Sequence, residues 1–475
     1  MPLPDTLDAW LAYVENLHHR PIDMGLDRVR AVAGRLNLQG TAPEGARRIV
    51  VGGTNGKGST CAMLDAILRA AGYRVGRYGS PHLLTFTERA QIGGVAATEA
   101  QLVPHFAAVE RARGDVTLTY FEFTTLVALA WFAAEQVDVA VLEVGLGGRL
   151  DAVNIVDADC AVVTTIDLDH MEMLGPTREH IGWEKAHIFR AGRPAICVVP
   201  DPPASLVDYA HALGAKLWRL GHEFSLSLPD AGLRQWNYHG PTASRMALPW
   251  PALRGAHQLR NAAGVLAALE ALADVLPVDQ GAVRKGLGAV QLLGRFQVVP
   301  GRPAIVLDVA HNPHAARALA DALRSHGVVP DQAPPPGPRP RTHAIVGMLR
   351  DKDAAAVVAA LNDVIDAWHL VPTHGERGRS AAALADAVSA AWTAAAPAAL
   401  PDASHTAAPI TASSQAAMVL AVAGVTRTHA PTLHESVSAA LSQLRSSVAP
   451  DDRIVVFGSF VIVAEALRFL ERGSQ

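Results

Sequence analysis

The sequence predicts an α/β protein: an N-terminal P-loop-type ATPase domain with a parallel sheet, followed by a smaller C-terminal Rossmann-like domain. Short β-branched runs recur along the chain, and a longer helical pattern follows each of them. These runs are almost continuously apolar, which is typical of parallel strands buried on both faces. The 475 residues are enough for two or three domains of ordinary size.

Eight strands carry this prediction, too many for one compact sheet. They are Ile49–Val51, Val137–Val144, Cys160–Ile166, Ala195–Val199, Ile305–Leu307, Ala344–Val346, Trp368–Val371 and Ile454–Phe457. A fresh strand begins near Ala304, just after the segment Gly294-Arg295-Phe296. We therefore expect one domain over residues 1–296 and a second over residues 297–475.

Three segments depart from this alternation. Residues 206–251 are less regular and indicate a small β-rich excursion within the first domain. Residues 331–340 are so rich in proline that they predict an exposed loop. The alanine-rich residues 381–400 permit a helix without specifying its packing, and residues 401–431 resemble a surface insertion.

Composition excludes several classes of protein. Lys and Arg number 41 against 45 acidic residues, a net charge of −4, which argues against non-specific binding to nucleic acid or anionic membranes. The three cysteines form no CxxC pair, as expected in a reducing compartment. No apolar run reaches the roughly 20 residues of a membrane span, and the acidic start does not fit a signal peptide. We expect a soluble, cytoplasmic protein.

The strongest motif follows the first strand, where residues 52–60 read GGTNGKGST before a helical pattern. A strand, a glycine-rich turn and a helix gather backbone N–H groups around one anion, and Lys57 would reach the terminal phosphates. The motif departs from GxxxxGK[ST], because its spacing is shorter and Gly58 follows the lysine. The alternative is a plain glycine-rich turn with an exposed lysine. The context favours nucleotide binding.

This variant loop resembles the ATP loop of the Mur ligase superfamily. The rest of the chain resembles the folate branch of that superfamily, the bifunctional dihydrofolate synthase/folylpolyglutamate synthases. The matching segments, which occur in order and leave out only 331–340 and about 395–431, are residues 23–29, 78–83, 119–122, 143–154, 168–170, 184–186, 294–296, 308–313 and 458–460. Each segment alone is a weak signal, whereas their common order is specific.

The resemblance implies the residues that bind ATP and two magnesium ions. The implied ATP contacts are Thr54, Asn55, Gly56, Lys57, Gly58, Ser59, Asn261, Arg295 and Asp308. Ser80 and Glu143 would hold one magnesium ion, and His170 and a carbamylated Lys185 the other. Lys57, His170 and Lys185 are the implied catalytic residues. Glu143 also ends an apolar strand, and the carboxyl edge of a doubly wound sheet is where ligands bind.

The resemblance also implies a pocket for dihydropteroate. Its residues would be Asp23, Met24, Gly25, Leu26, Thr119, Tyr120, Phe121, Glu122, Leu150, Asp151 and Ala152. Phe121 would stack on the pterin ring, although Phe121 and Phe123 also fit a helical core. His311 and Ser459 are weaker candidates for binding glutamate, since a helix-start cap and a Gly-Ser turn explain them locally.

The implied activity is an ATP-dependent carboxylate–amine ligase that works through an acyl phosphate. The substrates would be dihydropteroate, tetrahydrofolates and L-glutamate, and the second domain would close over the site of a monomer without nucleic-acid or membrane partners. Three alternatives stay open: a folylpolyglutamate synthase that uses only reduced folates, a cell-wall Mur ligase, and a regulatory P-loop NTPase. The last lacks an N-K-x-D motif for base recognition.

Overall fold

The computed structural model describes residues 3–38, 45–229, 234–325, 340–394 and 430–472. The chain divides into two compact units, Met1–Leu292 and Leu293–Gln475. The sequence prediction placed this division after residue 296. Both units are α/β, which confirms the predicted fold class.

The N-terminal unit is built on an eight-stranded sheet. Its strands are β1 (Arg47–Gly52), β2 (Val75–Tyr78), β3 (Ala90–Ile92), β4 (Val95–Ala96), β5 (Val139–Glu143), β6 (Cys160–Val163), β7 (Pro194–Cys197) and β8 (Lys216–Arg219). They lie in the order β4-β3-β2-β5-β1-β6-β7-β8, and only β3 and β4 run antiparallel to their neighbours. Strand β1 is therefore central: β2 to β5 lie on one side of it, and β6 to β8 lie on the other.

Helices cover both faces of this sheet. They are α1 (Leu7–Glu15), α2 (Asp27–Arg35), α3 (Lys57–Ala70), α4 (Glu99–Arg113), α5 (Tyr120–Ala134), α6 (Met171–Leu174), α7 (Arg178–Ala186), α8 (Ala204–Leu213), α9 (His257–Ala271) and α10 (Gln280–Ala289), with 3₁₀ turns at Phe86–Arg89 and Ala152–Ile155. Ile49 and Val51 of β1 pack into the core under α3, α9 and α10, whereas Val50 packs into the opposite core. This double burial explains why the strands are continuously apolar.

The irregular region after residue 206 is partly β-rich, as predicted. Its first part forms α8 and β8 and belongs to the main layers. A separate antiparallel sheet then follows, with strands β9 (Ser225–Ser227), β10 (Gln235–His239) and β11 (Ser244–Pro249). Trp236 and Tyr238 alternate along β10 and are fully buried, so one face of this small sheet packs on the core.

The C-terminal unit contains a six-stranded sheet. Its strands are β12 (Gln297–Val299), β13 (Ala304–Leu307), β14 (Thr342–Val346), β15 (Ala367–Leu370), β16 (Thr432–Leu433) and β17 (Arg453–Phe457), and its helices are α11 (Pro313–Ser325), α12 (Ala354–Leu361), α13 (Ala381–Ala394), α14 (Val437–Ser447) and α15 (Phe460–Arg472). The order is β12-β13-β17-β14-β15-β16, in which β12 is antiparallel to β13 and the other described strands are parallel. This is the expected Rossmann-like arrangement.

The eight predicted strands are all present, but six others were missed. The missed strands β2, β3, β4, β8, β12 and β16 are short, and most lie at or near a sheet edge where apolar runs are not required. The alanine-rich segment forms α13 as far as it is described. The predicted loop at 331–340 and the predicted insertion fall almost wholly outside the described residues. Among the described helices, none is long and apolar enough to cross a membrane.

Three histidines form a row across the C-terminal sheet. His343 Nδ1 lies 3.4 Å from His369 Nε2, and His369 Nδ1 lies 3.1 Å from His434 Nε2. At the other end, His343 Nε2 is 3.5 Å from an oxygen of Asp452. Burial, together with the charges that His343 and His434 carry when protonated, lowers the pKa of His369 to about 4. Burial also lowers the pKa of His343 and of His434, so the neutral form of each imidazole is favoured at pH 7.

This row predicts acid sensitivity of the C-terminal sheet. The pKa of His369 is lower in the folded chain than in the unfolded chain, so stability is complete above about pH 6.5 and is lost as the pH falls towards 4. Between pH 7.5 and 5 the loss from His369 should be about 2 kcal/mol. His369→Gln should remove this part of the loss in hydrogen exchange of β14 and β15. An unchanged pH dependence in the variant would contradict the assignment, and exchange in β5 serves as the internal reference.

Candidate active site

The glycine-rich loop lies at the carboxyl edge of the N-terminal sheet. Gly56 is the N-cap of α3 and has a φ of +87°, so α3 begins directly at Lys57. Gly53 has a φ of +143°, and a Cβ placed on it would lie 1.9 Å from Thr164 Oγ1. Both positions therefore require glycine. The backbone N–H groups at the start of α3 are available for an anion, as the motif predicts.

The loop is fastened to the segment that follows β6. Thr54 N donates to Thr165 O at 2.8 Å, and Asn55 N donates to Thr165 Oγ1 at 2.8 Å. Thr164 Oγ1 donates in turn to Asn55 O at 2.7 Å. Thr54 Oγ1 also bonds the backbone of Asp167. These bonds fix the loop before any ligand arrives.

Helix α9 supports the loop from the other side. Gln258 Nε2 donates to Ser59 Oγ at 3.2 Å, and Asn261 Nδ2 donates to Gln258 Oε1 at 2.9 Å. A Cβ on Gly56 would lie 3.0 Å from Asn261 Oδ1. The structure thus brings the predicted ATP residue Asn261 to the loop across about 200 residues of sequence. Lys57 Nζ, for its part, donates to Gly53 O at 3.0 Å.

Glu143 stands between the loop and the segment that contains Ser80. It ends β5, which pairs with β1 so that Glu143 lies opposite Val51. A Cβ on Gly58 would lie 3.6 Å from Glu143 Oε2, and a Cβ on Gly79 would lie 2.7 Å from the same oxygen. Glu143 is buried. A carboxylate is therefore adjacent to the anion loop and to the residue before Ser80, which fits a hard cation beside phosphate.

Lys185 is a buried amine at the end of α7. Its exposed fraction is 3%. A Cβ on Gly148 would lie 3.0 Å from Lys185 Cα, so the loop after β5 packs directly on this turn of helix. Burial, reinforced by the charge of Lys57, lowers the pKa of Lys185 to about 7, although Asp169 and Asp151 oppose the shift. Lys185 is thus a partly neutral amine near neutral pH.

His170 lies at the start of the short helix α6. Its φ is +50°, and its side chain is about one-third exposed, with Nε2 3.9 Å from Asp169 Oδ1. Within the described part of the chain, no three His, Cys, Asp or Glu side chains are grouped as metal ligands. A cation at His170 would therefore need ligands other than three such side chains.

Two of the predicted dihydropteroate segments meet through Arg28. Its Nη1 donates to Asp23 Oδ2 at 2.7 Å, and its Nη2 lies 3.2 Å from Glu122 Oε1. His18 Nε2 also contacts Asp23 Oδ2, at 3.1 Å, and helps to lower the pKa of Asp23. Glu122 forms a capping box with Thr119 at the start of α5. Residues 23–26 and 119–122 are thereby held together.

The third predicted segment joins them beside the loop after β5. Phe121 is half-buried, and a Cβ on Gly145 would lie 2.6 Å from its ring, whereas Phe123 is wholly buried in the core. Met24 reaches the neighbourhood of Gly147. Asp151 accepts backbone N–H groups within this turn, and burial raises its pKa to about 6. Residues 23–26 and 119–122 therefore contact the loop after β5, and residues 150–152 form its end.

A cavity of about 690 Å³ opens beside these segments. Its lining residues are Leu26, Arg30, Arg149, Leu150, Asn154, Ile155, Asp157, His187 and Arg190. Arg149 pairs with Glu184 at 2.9 Å, and Arg190 pairs with Asp157 at 2.9 Å. These ion pairs therefore fix the positions of the two arginines in the cavity wall.

In the C-terminal unit, Asp308 follows β13. Its two oxygens accept the N–H groups of Phe296 and Ala310, both at 2.8 Å. Burial raises the pKa of Asp308, and the charge of Arg295 partly opposes this. Asp308 is therefore oriented by its own loop.

The other predicted residues of this unit are gathered around Phe460. The Arg295 guanidinium lies 5.3 Å from the centre of the Phe460 ring, and the His311 ring lies 6.2 Å from it. Ser459 Oγ accepts the N–H of Ile462 and caps α15. Ser459 thus has the local capping role that the sequence left open.

Sequence reasoning missed three residues that organise the site: Arg28, Thr164 and Gln258. The Asp-Arg pair in residues 27–28 was part of a matching segment, but the partners of Arg28 lie as far away as Glu122. Thr164 and Gln258 belong to no motif. Their contacts with the loop become visible only when β6 and α9 are in place.

The chain matches two family models and is similar to several known proteins. The Mur ligase middle domain matches residues 51–269, and the Mur ligase, glutamate ligase domain matches residues 294–460. The dihydrofolate synthase/folylpolyglutamate synthase of Escherichia coli K12 is 46% identical over 398 residues, which cover 82% of this chain and 89% of the relative. A solved structure of E. coli FolC in complex with DHPP and ADP has a TM-score of 0.84 and 39% identity, covering 100% of both chains. A structure of a bifunctional folylpolyglutamate synthase/dihydrofolate synthase with Mn, AMPPNP and L-glutamate bound has a TM-score of 0.81 and 40% identity, covering 98% of both chains.

The loop, the parallel sheet and the second Rossmann-like unit define an ATP-dependent ligase of the Mur type. The similar relatives identify the family within this class. The chain belongs to the dihydrofolate synthase/folylpolyglutamate synthase family of folate metabolism, which confirms the predicted resemblance. The regulatory NTPase and the cell-wall ligase are thereby set aside.

The close approach at Gly53 predicts a sharp effect of one methyl group. Gly53→Ala would force a Cβ into Thr164 Oγ1 and displace the loop, so we expect at least a tenfold loss of affinity for ATP in equilibrium binding. Gly72→Ala is the matched control, because Gly72 also has a positive φ, +95°, but nothing within 4 Å of a Cβ. The control should cost about 1 kcal/mol of stability and leave affinity unchanged. Equal affinities would refute the role of close packing here.

Proposed function

We propose that this chain adds L-glutamate to 7,8-dihydropteroate, giving dihydrofolate, and to reduced folates, giving their polyglutamates. The observation that carries the proposal is that the 23–26 and 119–122 segments contact the loop after β5. This loop follows Glu143 directly, and Glu143 lies beside the glycine-rich loop. The names and bound molecules of the relatives support it.

The chemistry proceeds in two steps. An oxygen of the acceptor carboxylate attacks the γ-phosphorus of ATP, which gives an acyl phosphate and releases ADP. The amine of glutamate then attacks the acyl carbon, loses a proton, and forms the amide as phosphate leaves. A carboxylate is a poor electrophile, and phosphate supplies the leaving group. The chain contributes positioning and charge neutralisation rather than a nucleophile.

The residues proposed to bind ATP have complementary chemistry. Gly56, Gly58 and Ser59 would offer backbone N–H groups at the positive end of α3. Thr54 and Asn55, whose own N–H groups are bonded to Thr165, would hold the loop in place around the phosphates. Lys57 supplies the charge, and Asn261 lies beside Gly56. Arg295 and Asp308 are proposed as further ATP contacts.

We assign the predicted magnesium ligands on donor chemistry. Ser80 and Glu143 would hold one ion, since both are oxygen donors next to the loop. His170 and a carbamate on Lys185 would hold a second ion. Magnesium, when bound, neutralises phosphate charge. His311 and Ser459 are proposed to bind glutamate.

The three cysteines are free and buried, which fits a reducing compartment such as the cytoplasm. We propose a monomer whose partners are small molecules only, with no nucleic acid and no membrane.

A buried amine of low pKa suits carbamylation, because only the neutral amine attacks CO2. Lys185 has a pKa of about 7, so carbamate should increase as the pH rises from about 6 to about 8. With carbon-13-labelled bicarbonate, we expect a carbamate signal in the NMR spectrum of the wild type and of Lys57→Met. The signal should be absent from Lys185→Met. Its persistence in Lys185→Met would show that another amine is modified.

The product decides the main proposal. With dihydropteroate, L-glutamate and MgATP, mass spectrometry should find one added glutamyl unit, with one ADP and one phosphate per amide. Tetrahydrofolate should also be extended. Lys57→Ala should abolish both reactions, because the phosphates lose their counter-charge, while the circular dichroism spectrum stays unchanged. Extension of tetrahydrofolate alone would leave only a folylpolyglutamate synthase, and no product with either would refute the proposal.

A further inference from the structure

Arg28 joins two segments that are separated by about 90 residues of sequence. We propose that Arg28 is a positioning residue for the pterin acceptor, which keeps the 23–26 and 119–122 segments in one fixed arrangement. The inference rests on the proposed function, because these segments are the ones assigned to dihydropteroate.

The guanidinium is used as a fork. Nη1 and Nη2 of Arg28 both donate to Asp23, to Oδ2 and to the backbone oxygen, each at 2.7 Å. Nη2 is also 3.2 Å from Glu122 Oε1, and Nε is 3.5 Å from Glu122 Oε2. A planar group with several donors can serve two carboxylates at once, which a lysine ammonium on a flexible stem cannot do in the same geometry.

The Asp23 carboxylate is oriented through one of its two oxygens. Arg28 and His18 both contact its Oδ2, and His18 is itself held by Thr117 Oγ1 at 2.9 Å. The Asp23 side chain keeps an exposed fraction of 24%. Its second oxygen, Oδ1, therefore remains the natural acceptor for an N–H donor such as those on a pterin ring.

Glu122 depends on Arg28 for its counter-charge. Its side chain is 5% exposed, and its Oε2 accepts the backbone N–H of Thr119 at 2.8 Å. Within the described residues, Oε1 makes no hydrogen bond, and the Arg28 ion pair is its recorded contact. Loss of Arg28 would leave a buried carboxylate unpaired, and the start of α5, with Phe121, would have to shift.

A second arginine on the same helix shows what ordinary fastening looks like. Arg35, in the last turn of α2, is exposed and donates to the backbone oxygens of Ala112 and Arg113 at 2.9 and 2.7 Å. It connects α2 to α4 and, among the described residues, makes no hydrogen bond to residues 23–26 or 119–122. Arg35 is therefore the matched control for the loss of an arginine from α2.

The test separates acceptor binding from general damage. In Arg28→Met, we expect the KM for dihydropteroate to rise at least tenfold, while the KM for ATP changes by less than about twofold. Arg28→Lys should lie in between, since lysine can pair with one carboxylate. Arg35→Met should leave every KM unchanged and lower only the melting temperature. Equilibrium binding of dihydropteroate should weaken in the same order.

Three results would overturn the inference: an unchanged KM for dihydropteroate in Arg28→Met, equal rises in the KM for both substrates, or the same effect in Arg35→Met. Should Arg28→Met not fold, Arg28→Lys decides by the same criteria. The wild-type product assay keeps the two proposals apart. If the wild type does not use dihydropteroate, the proposed function fails, whereas normal wild-type turnover with an insensitive Arg28 variant refutes only the positioning role.

Discussion

The contact on which the candidate site most depends is the close approach of the Gly53 backbone to the Thr164 hydroxyl. It lets the loop after β1 lie flat against the segment after β6, where three backbone and side-chain bonds hold it. The loop then enters α3 at a fixed angle. Because β5 pairs with the other side of β1, Glu143 arrives beside the same loop through sheet register alone. The position of the anion site is thus a property of the three central strands.

A second constraint is the burial of charge at that edge. Glu143, Asp151 and Lys185 are all largely shielded from water, and the pKa values of Asp151 and Lys185 move towards neutrality. Such a site favours reactions that bring in compensating charge, and ATP with its cations does so. The charge of Lys57 helps to lower the pKa of Lys185, so the phosphate loop and the predicted carbamate site are electrostatically linked.

The fold was predictable wherever burial on both faces dictates the sequence. Strands β1, β5 and β6 are apolar because both cores need them, and their continuous apolar runs show it. Strand β16 has two exposed residues and β2 includes Gly76 and Arg77, so neither gives such a signal. The loop residues were predictable because phosphate binding requires glycine and lysine within a few positions. Gln258 was not, because its contact with Ser59 is a tertiary one between distant helices.

Glu122 links the proposed acceptor segment of this chain to the stability of a helix. One oxygen of Glu122 caps α5, while the carboxylate as a whole pairs with Arg28. Capping is worth about 1 kcal/mol, and a buried unpaired charge costs several. A substitution in residues 119–122 therefore also perturbs α5, the helix that packs Phe123 into the core. Under the proposed function, we therefore expect Met24 and Leu150 to tolerate changes of acceptor preference better, because Met24 lies near Gly147 and Leu150 lines the cavity, and neither side chain holds a charge or caps a helix.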